Sequence, residues 1–223
     1  MSREPVLHVA QTYHWREARS FLEERLREGY ALEPKTRFFA RGAAQCWTPA
    51  VLPEPATQPS LERYVACIPD SLGRAFVILM QAGAVSIGAL DEDELCATKS
   101  FKRYVVRGRG RAQETHLNSK GKSRYGSRLR LQNARRLIDE TNERLQEWAA
   151  TFGPPERVYY NAPVRLWPNL FEGSVQPPFE KDGPLVRIPL DLPKPTTAVL
   201  TRTVRALQYG RWLLPRAADE ESG

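Results

Sequence analysis

The chain has 223 residues, of which 41% are hydrophobic and 26% charged, and it carries a formal net charge of +7. That balance supports a real core and excludes a wholly disordered chain. No run approaches the roughly 18 consecutive apolar residues that a membrane helix needs. The opening stretch carries charges throughout and lacks a secretory pattern, so the expected location is the cytoplasm. Cys46, Cys67 and Cys96 are odd in number and form no CxxC pair, while His8, His14 and His116 are scattered. A disulfide framework or zinc site is therefore not expected, and the thiols are expected to be reduced.

In chain order, residues 1–60 read as an N-terminal helical extension followed by a proline-rich connector. Ala18, Phe21, Leu22, Leu26 and Tyr30 recur near one face of a charged helix. Repeated prolines in "TPAVLPEPATQPS" forbid regular structure there. The main domain is expected over 61–215, with 216–223 as a flexible acidic tail. "RAFVILMQAGAVSIGAL" predicts two strands around a turn at residues 81–83, the first run continuously apolar as for a strand buried on both faces. "KSFKRYVV" predicts a third strand. From about Ser127 a long helix is expected, because Leu129, Ala134, Leu137, Ile138, Thr141, Leu145 and Trp148 recur mostly at helical spacing. Ser123 or Ser127 would cap it, and "FGPP" would stop it. "ERVYYNAP" and "GPLVRIPLDLP" predict two more strands. "PTTAVLTRTVRALQYGRWLL" predicts a closing helix with Thr196 or Thr197 at its N-cap. The order β-β-β-loop-α-β-β-α argues for an α/β sheet covered by helices.

Charge is concentrated in one place. Residues 102–136 hold twelve Lys or Arg against the single acid Glu114, so the remainder of the chain is net acidic. Such a block suits phosphate binding, and arginine suits bidentate phosphate contacts. The chain has no G-x-S-x-G elbow, P-loop, H-E-x-x-H or G-x-G-x-x-G opening a helix. Asp91, Glu92 and Asp93 read as a solvated turn at a strand end. The basic stretch is either a solvated arm with nonspecific affinity or an anchored functional loop. A strand before it and a long helix after it favour the second.

At this point the residues resemble a known family. Lys99, Phe101, Arg103, Tyr104, Val106 and Arg107 fall on a K-x-F-H-R-Y-x-V-R strand, and Gln113 falls on the loop glutamine that follows it. Ser123 to Asn133 fall on a K-S-A-G-S-x-L-R-R-Y-N helix entry. Downstream, "VYYNAPVRLWPNLFEG" and "VRIPLDLPKPTTAVLTRTVRAL" continue the pattern in order. Over roughly residues 70–210 the chain resembles the Vms-like release-factor (VLRF) family, in its stand-alone prokaryotic form. That family is related to the glutamine-bearing central domain of the eukaryotic and archaeal class-one release factor.

The resemblance implies an RNase H-like mixed sheet flanked by helices, with the basic loop between a strand and a long helix. It implies ribosome rescue, in which a nascent chain is freed from peptidyl-tRNA on a stalled large ribosomal subunit. Ester hydrolysis and cleavage of the tRNA near its 3′ end both stand open, as does a non-catalytic ribosome- or RNA-binding role. Expected partners are the large subunit, ribosomal RNA and peptidyl-tRNA, the protein acting as a monomer. No metal or organic cofactor is implied. A glutamine amide is no acid or base near neutral pH, but it donates and accepts hydrogen bonds, so Gln113 is expected to position a water against a reactive ester. Arg103 is expected to stabilise developing charge. Lys102, Arg107, Arg109, Arg111, Lys120, Lys122, Arg124, Arg128 and Arg130 are expected to hold RNA through phosphates. Tyr104 and Tyr125 are candidates for base stacking, and His116 for acid–base work in RNA cleavage. The chain departs from the pattern at Arg111 and Ala112, where relatives have Gly-Gly or Gly-Ser, and at Lys102 and Glu114, where they have histidine and serine.

Overall fold

The computed structural model describes residues 5–33, 36–103 and 122–216, with the side chains of 122–127 outside that set. The elements in order are β1 (Leu7–His14), α1 (Ala18–Arg27), β2 (Ala31–Leu32), β3 (Phe38–Arg41), β4 (Ala44–Trp47) and α2 (Leu61–Ala66). They continue with β5 (Arg74–Gln81), β6 (Ala84–Asp91), β7 (Glu94–Lys102) and α3 (Lys122–Phe152). The last are β8 (Arg157–Asn161), β9 (Leu185–Arg187), α4 (Thr197–Leu207) and β10 (Tyr209–Pro215). The fold is α/β, with two five-stranded sheets flanked by helices. Two compact units share the chain, one made of Met1–Leu72 with Thr203–Gly223 and the other of Gly73–Arg202.

The first unit differs from the sequence-based expectation in two respects. Its helix α1 is present, burying Ala18, Phe21 and Leu22, but residues 1–60 also supply four strands. They join β10 in an antiparallel sheet of order β1-β10-β4-β3-β2. The expected closing helix therefore ends at Leu207, and the rest of that segment is β10. Gly210 explains why: a Cβ there would lie 2.6 Å from the Trp47 carbonyl oxygen and closer still to the Tyr13 ring. Only a bare backbone packs so tightly. The proline-rich stretch is irregular apart from one 3-10 turn, Pro55–Thr57, and it buries Val51 and Leu52. Of the expected tail, 216–223, Arg216 donates its amide to the Val6 carbonyl at 2.9 Å, and residues 217–223 lie outside the described residues.

The phenol and thiol groups of this core are kept neutral. The Tyr13 hydroxyl donates to the Trp47 carbonyl at 2.9 Å and meets the Cys46 sulfur at 3.5 Å. Burial pushes the Cys46 thiol from 9.0 up to about 11 and the Tyr64 hydroxyl up to about 12. Arg25, also buried, lies 4.2 Å from the Trp212 ring centroid and 4.8 Å from that of Phe21, and pairs with Glu28 at 3.1 Å.

The second unit is a mixed sheet of order β7-β6-β5-β8-β9. β5, β6 and β7 form an antiparallel meander, and β8 and β9 run parallel to β5 and β8 respectively. Numbered within the unit the order is 3-2-1-4-5, the RNase H-like arrangement. β5 earns its central place because residues 75–80 are buried on both faces. Gly83, at φ +77°, closes the two-residue turn into β6.

Helix α3 supplies the crossover between β7 and β8. Leu137, Ile138, Leu145 and Trp148 pack with Phe76, Ile78, Met80, Val85 and Ile87. The helix starts earlier than Ser127, at Lys122, and Leu129 is 41% exposed instead of facing the core. Gly153, at φ +95°, ends it as expected. Its second half also grips the segment after β8 through polar groups. Asn142 Nδ2 donates to the Leu170 and Val175 carbonyls at 2.8 and 2.7 Å. Asp139 accepts from the Ser174 amide and hydroxyl, and Gln146 donates to the Gln176 carbonyl. At the N-terminus of α4, Thr196 Oγ1 accepts from the Val199 amide.

Two outcomes follow. Asn142→Ala leaves two buried carbonyls without donors, so it should cost about 2–3 kcal/mol in urea melts. Hydrogen exchange should show protection lost first over residues 172–176. In the first unit, the native thiol of Cys46 and hydroxyl of Tyr64 titrate above their unfolded values. The stability they contribute is complete below about pH 9 and is lost as pH rises through about 11 and then 12. Alkaline thermal melts should show that decline, and alkylation at pH 8 should label the exposed Cys67 and Cys96 long before Cys46.

Candidate nucleic-acid interface

β7 ends beside the β5–β6 turn. Lys102 pairs with Ala84 across β6–β7, and the Arg103 amide donates to the Gly83 carbonyl at 2.9 Å. The Arg103 guanidinium then reaches across to the Glu140 carboxylate on α3. One ion pair thus joins the strand entering residues 104–121 to the helix leaving them. Both side chains are about a third exposed, so the pair fixes geometry more than it adds stability, on the order of 0.2–1 kcal/mol.

The expected site residues are placed unequally. Gln113, Arg107, Arg109, Arg111 and Lys120 lie outside the described residues, as do Tyr104 and His116. Lys122, Arg124 and Tyr125 belong to the first turns of α3, where the backbone alone is described. Lys102 is exposed at the end of β7, Arg128 is exposed on α3, and Arg130 is half-buried. Arg103 is engaged by Glu140.

The charge of α3 is polarised along its length. No acid occurs in its first turn, and the first one reached is Asp139. Cations at a helix N-terminus oppose the macrodipole, which favours anions there. Leu129 and Leu131, farther along the helix, are 41% and 56% exposed.

Between the β5–β6 turn, α3 and the 3-10 segment Trp167–Phe171 lies a cleft of about 470 Å³. Met80, Val85 and Ile138 line its apolar part, and Arg135, Asn169 and Glu172 its polar part. Sequence reasoning missed Glu140, Asn169 and Glu172. Only Asn142 left a trace, as a polar residue between Ile138 and Leu145 on an apolar helical face. Among the described residues no group of three His, Cys, Asp or Glu could hold a metal ion, and no helix is long and apolar enough to cross a membrane.

No curated protein sequence matches the chain. Among solved structures it is similar to one described as "Vms1 mitochondrial localization core", at 13% identity and a TM-score of 0.49, covering 96% of this chain and 92% of that one. It is also similar to an archaeal translation termination factor, aRF1, at 15% identity and a TM-score of 0.38. That alignment covers 66% of this chain and 37% of the other. The assignment does not rest on these weak likenesses. It rests on the sequence profile described as "Bacteroidetes VLRF1 release factor", which matches residues 75–212, well over half of the chain and all of the strand–loop–helix region around Gln113. By that match the chain belongs to the VLRF1 release factor family.

Proposed function

We propose that the protein is a ribosome-rescue factor that releases nascent chains from peptidyl-tRNA on stalled large ribosomal subunits. The observation that carries this reading is the family motif placed on a rigid base. Gln113 falls between a strand and a helix that are tied by the Arg103–Glu140 pair, within the segment that the family profile covers. Gln113 orients a water toward the ester carbonyl carbon. The water oxygen bonds to that carbon, the bond to the terminal ribose oxygen breaks, and a water proton passes to that ribose oxygen, which leaves as a hydroxyl. The amide supplies position instead of proton transfer, so proximity provides the acceleration. Lys102, Arg107, Arg109, Arg111, Lys120, Lys122, Arg124, Arg128 and Arg130 hold RNA phosphates, independently of sequence and with strong salt dependence.

Arg103 has a more specific part than charge stabilisation at the ester. Paired with Glu140, it sets the spacing between β7 and α3 and is a positioning residue. The departure at Arg111 and Ala112 favours one alternative, a non-catalytic factor that binds the subunit without cutting the ester. In such a protein a bulkier pair replaces the glycines that permit close backbone approach.

The test uses large-subunit complexes carrying labelled peptidyl-tRNA, with both products examined. Free peptide with full-length tRNA is expected. Peptide on a short 3′ fragment would instead identify a tRNA nuclease, and intact peptidyl-tRNA on subunits that bind the protein would identify the non-catalytic factor. Gln113→Ala should lower the release rate by at least about 100-fold, as loss of a positioned reactant does, with subunit binding unchanged. Arg103→Ala and Glu140→Ala should each slow release by about tenfold, and the double variant should be no slower than either alone. A large loss in Arg103→Ala with none in Glu140→Ala would place Arg103 on the substrate itself.

A further inference from the structure

The cleft beside the β5–β6 turn has a composition that the release reading does not use. Its wall is apolar, and four polar residues line it: Gln81, whose amide donates to the Leu192 carbonyl, Arg135 from α3, and Asn169 and Glu172 from the segment after β8. The only hydrogen bonds of Asn169 and Glu172 among the described residues are made by backbone atoms, and Arg135 has no partner among those residues. Arg128, Leu131 and Arg135 follow one another at helical spacing of three and four, so one face of α3 alternates cation, apolar contact and cation. Leu131, 56% exposed, is the apolar member of that stripe and also lines the cleft.

We propose that this cleft binds one unpaired adenine at the 3′ end of an RNA strand. The identity of that strand as a tRNA acceptor end rests on the release reading above. The volume of about 470 Å³ lies in the range of roughly 300–1,000 Å³ that small-ligand sites occupy, typically apolar with a few placed polar groups. A base presents apolar faces to such a wall and its hydrogen-bonding edge to the polar rim. The amide of Asn169 matches the N6 and N7 edge of adenine, donating to one and accepting from the other. The carboxylate of Glu172 accepts from an exocyclic amino group and repels a carbonyl at the same place, which selects against uracil. Arg128 and Arg135 flank Leu131 where the last two phosphates, both on the 5′ side of the terminal base, would run. Arg128 and Arg135 are both exposed on that face of α3, so the charge beside the cleft is complementary to a polyanion and not to an apolar peptide.

The test measures binding of the intact protein to a fluorescent stem-loop RNA with a short single-stranded 3′ overhang ending in adenosine. The same RNA ending in uridine or an abasic residue is the comparison. The adenosine end should bind about tenfold more tightly, as one base-edge contact of this type provides. Asn169→Ala combined with Glu172→Ala should remove the preference while leaving the salt dependence of binding as it was. Ala134→Phe, which fills the cleft, should remove it too. Equal affinity for the adenosine and abasic ends overturns the proposal, as does a preference that survives both variants. So does displacement by an apolar tripeptide from an RNA whose affinity is indifferent to its last base. The assay contains no ester. A protein that prefers adenosine but releases no peptide keeps the subsite and loses the release function, and one that releases peptide without base preference does the reverse.

Discussion

The second half of helix α3 is embedded, and it is fixed as much by hydrogen bonds as by packing. Asn142 is fully buried and spends both amide hydrogens on carbonyls of the segment after β8. Asp139 and Gln146, one turn to either side, bind the same segment. Because these contacts are directional, they set the rotation and axial position of the helix in a way that leucine contacts alone do not. At 31 residues the helix is about 46 Å long, so a small rotation at its embedded half displaces its basic end by a large arc. Every property of the candidate interface depends on that fixed angle: the Arg103–Glu140 spacing, the width of the cleft and the line of cations along the helix.

The interface itself is asymmetric in what stabilises it. Aliphatic burial and satisfied carbonyls hold the β5–β6–β7 meander and the second half of α3. Toward the start of α3, Leu129 and Leu131 are 41% and 56% exposed, so these two leucines add little to the stability of the unit. A surface that is worse off alone than in complex is suited to binding. The residues forming the platform and those facing the ligand are thus different residues on the same helix, and substitutions in the two halves should separate stability from affinity.

Much of the second unit was legible in the chain. The continuous apolar run of β5, the Ala82 and Gly83 turn and the helical spacing of Leu137, Leu145 and Trp148 are local patterns with a single structural solution. The glutamine loop was located by the order of its motif, not by any property of Gln113 alone. What stayed hidden was nonlocal. The strands of the first unit are as short as two residues and are defined by partners far away in sequence, so periodicity had nothing to register. The closing helix was expected to run on to Leu214 because no proline interrupts the segment after Leu207, and only Gly210 contradicted it. Glu140 faces Arg103 across 37 positions, and Asn169 and Glu172 join Arg135 only when the segment after β8 folds back on α3. No spacing rule connects such residues.

The two ends of the chain fold together, while residues 73–202 are threaded between them. The family match stops at residue 212, in the middle of β10, whose two neighbours β1 and β4 lie before residue 50. A fragment cut to the limits of the match would keep the release-factor region but carry half a central strand stripped of both its partners. Its unpaired amides and carbonyls would then be open to any passing chain. For expression and crystallisation, this makes the first fifty residues a solubility requirement of the release-factor region, whatever they do on their own account.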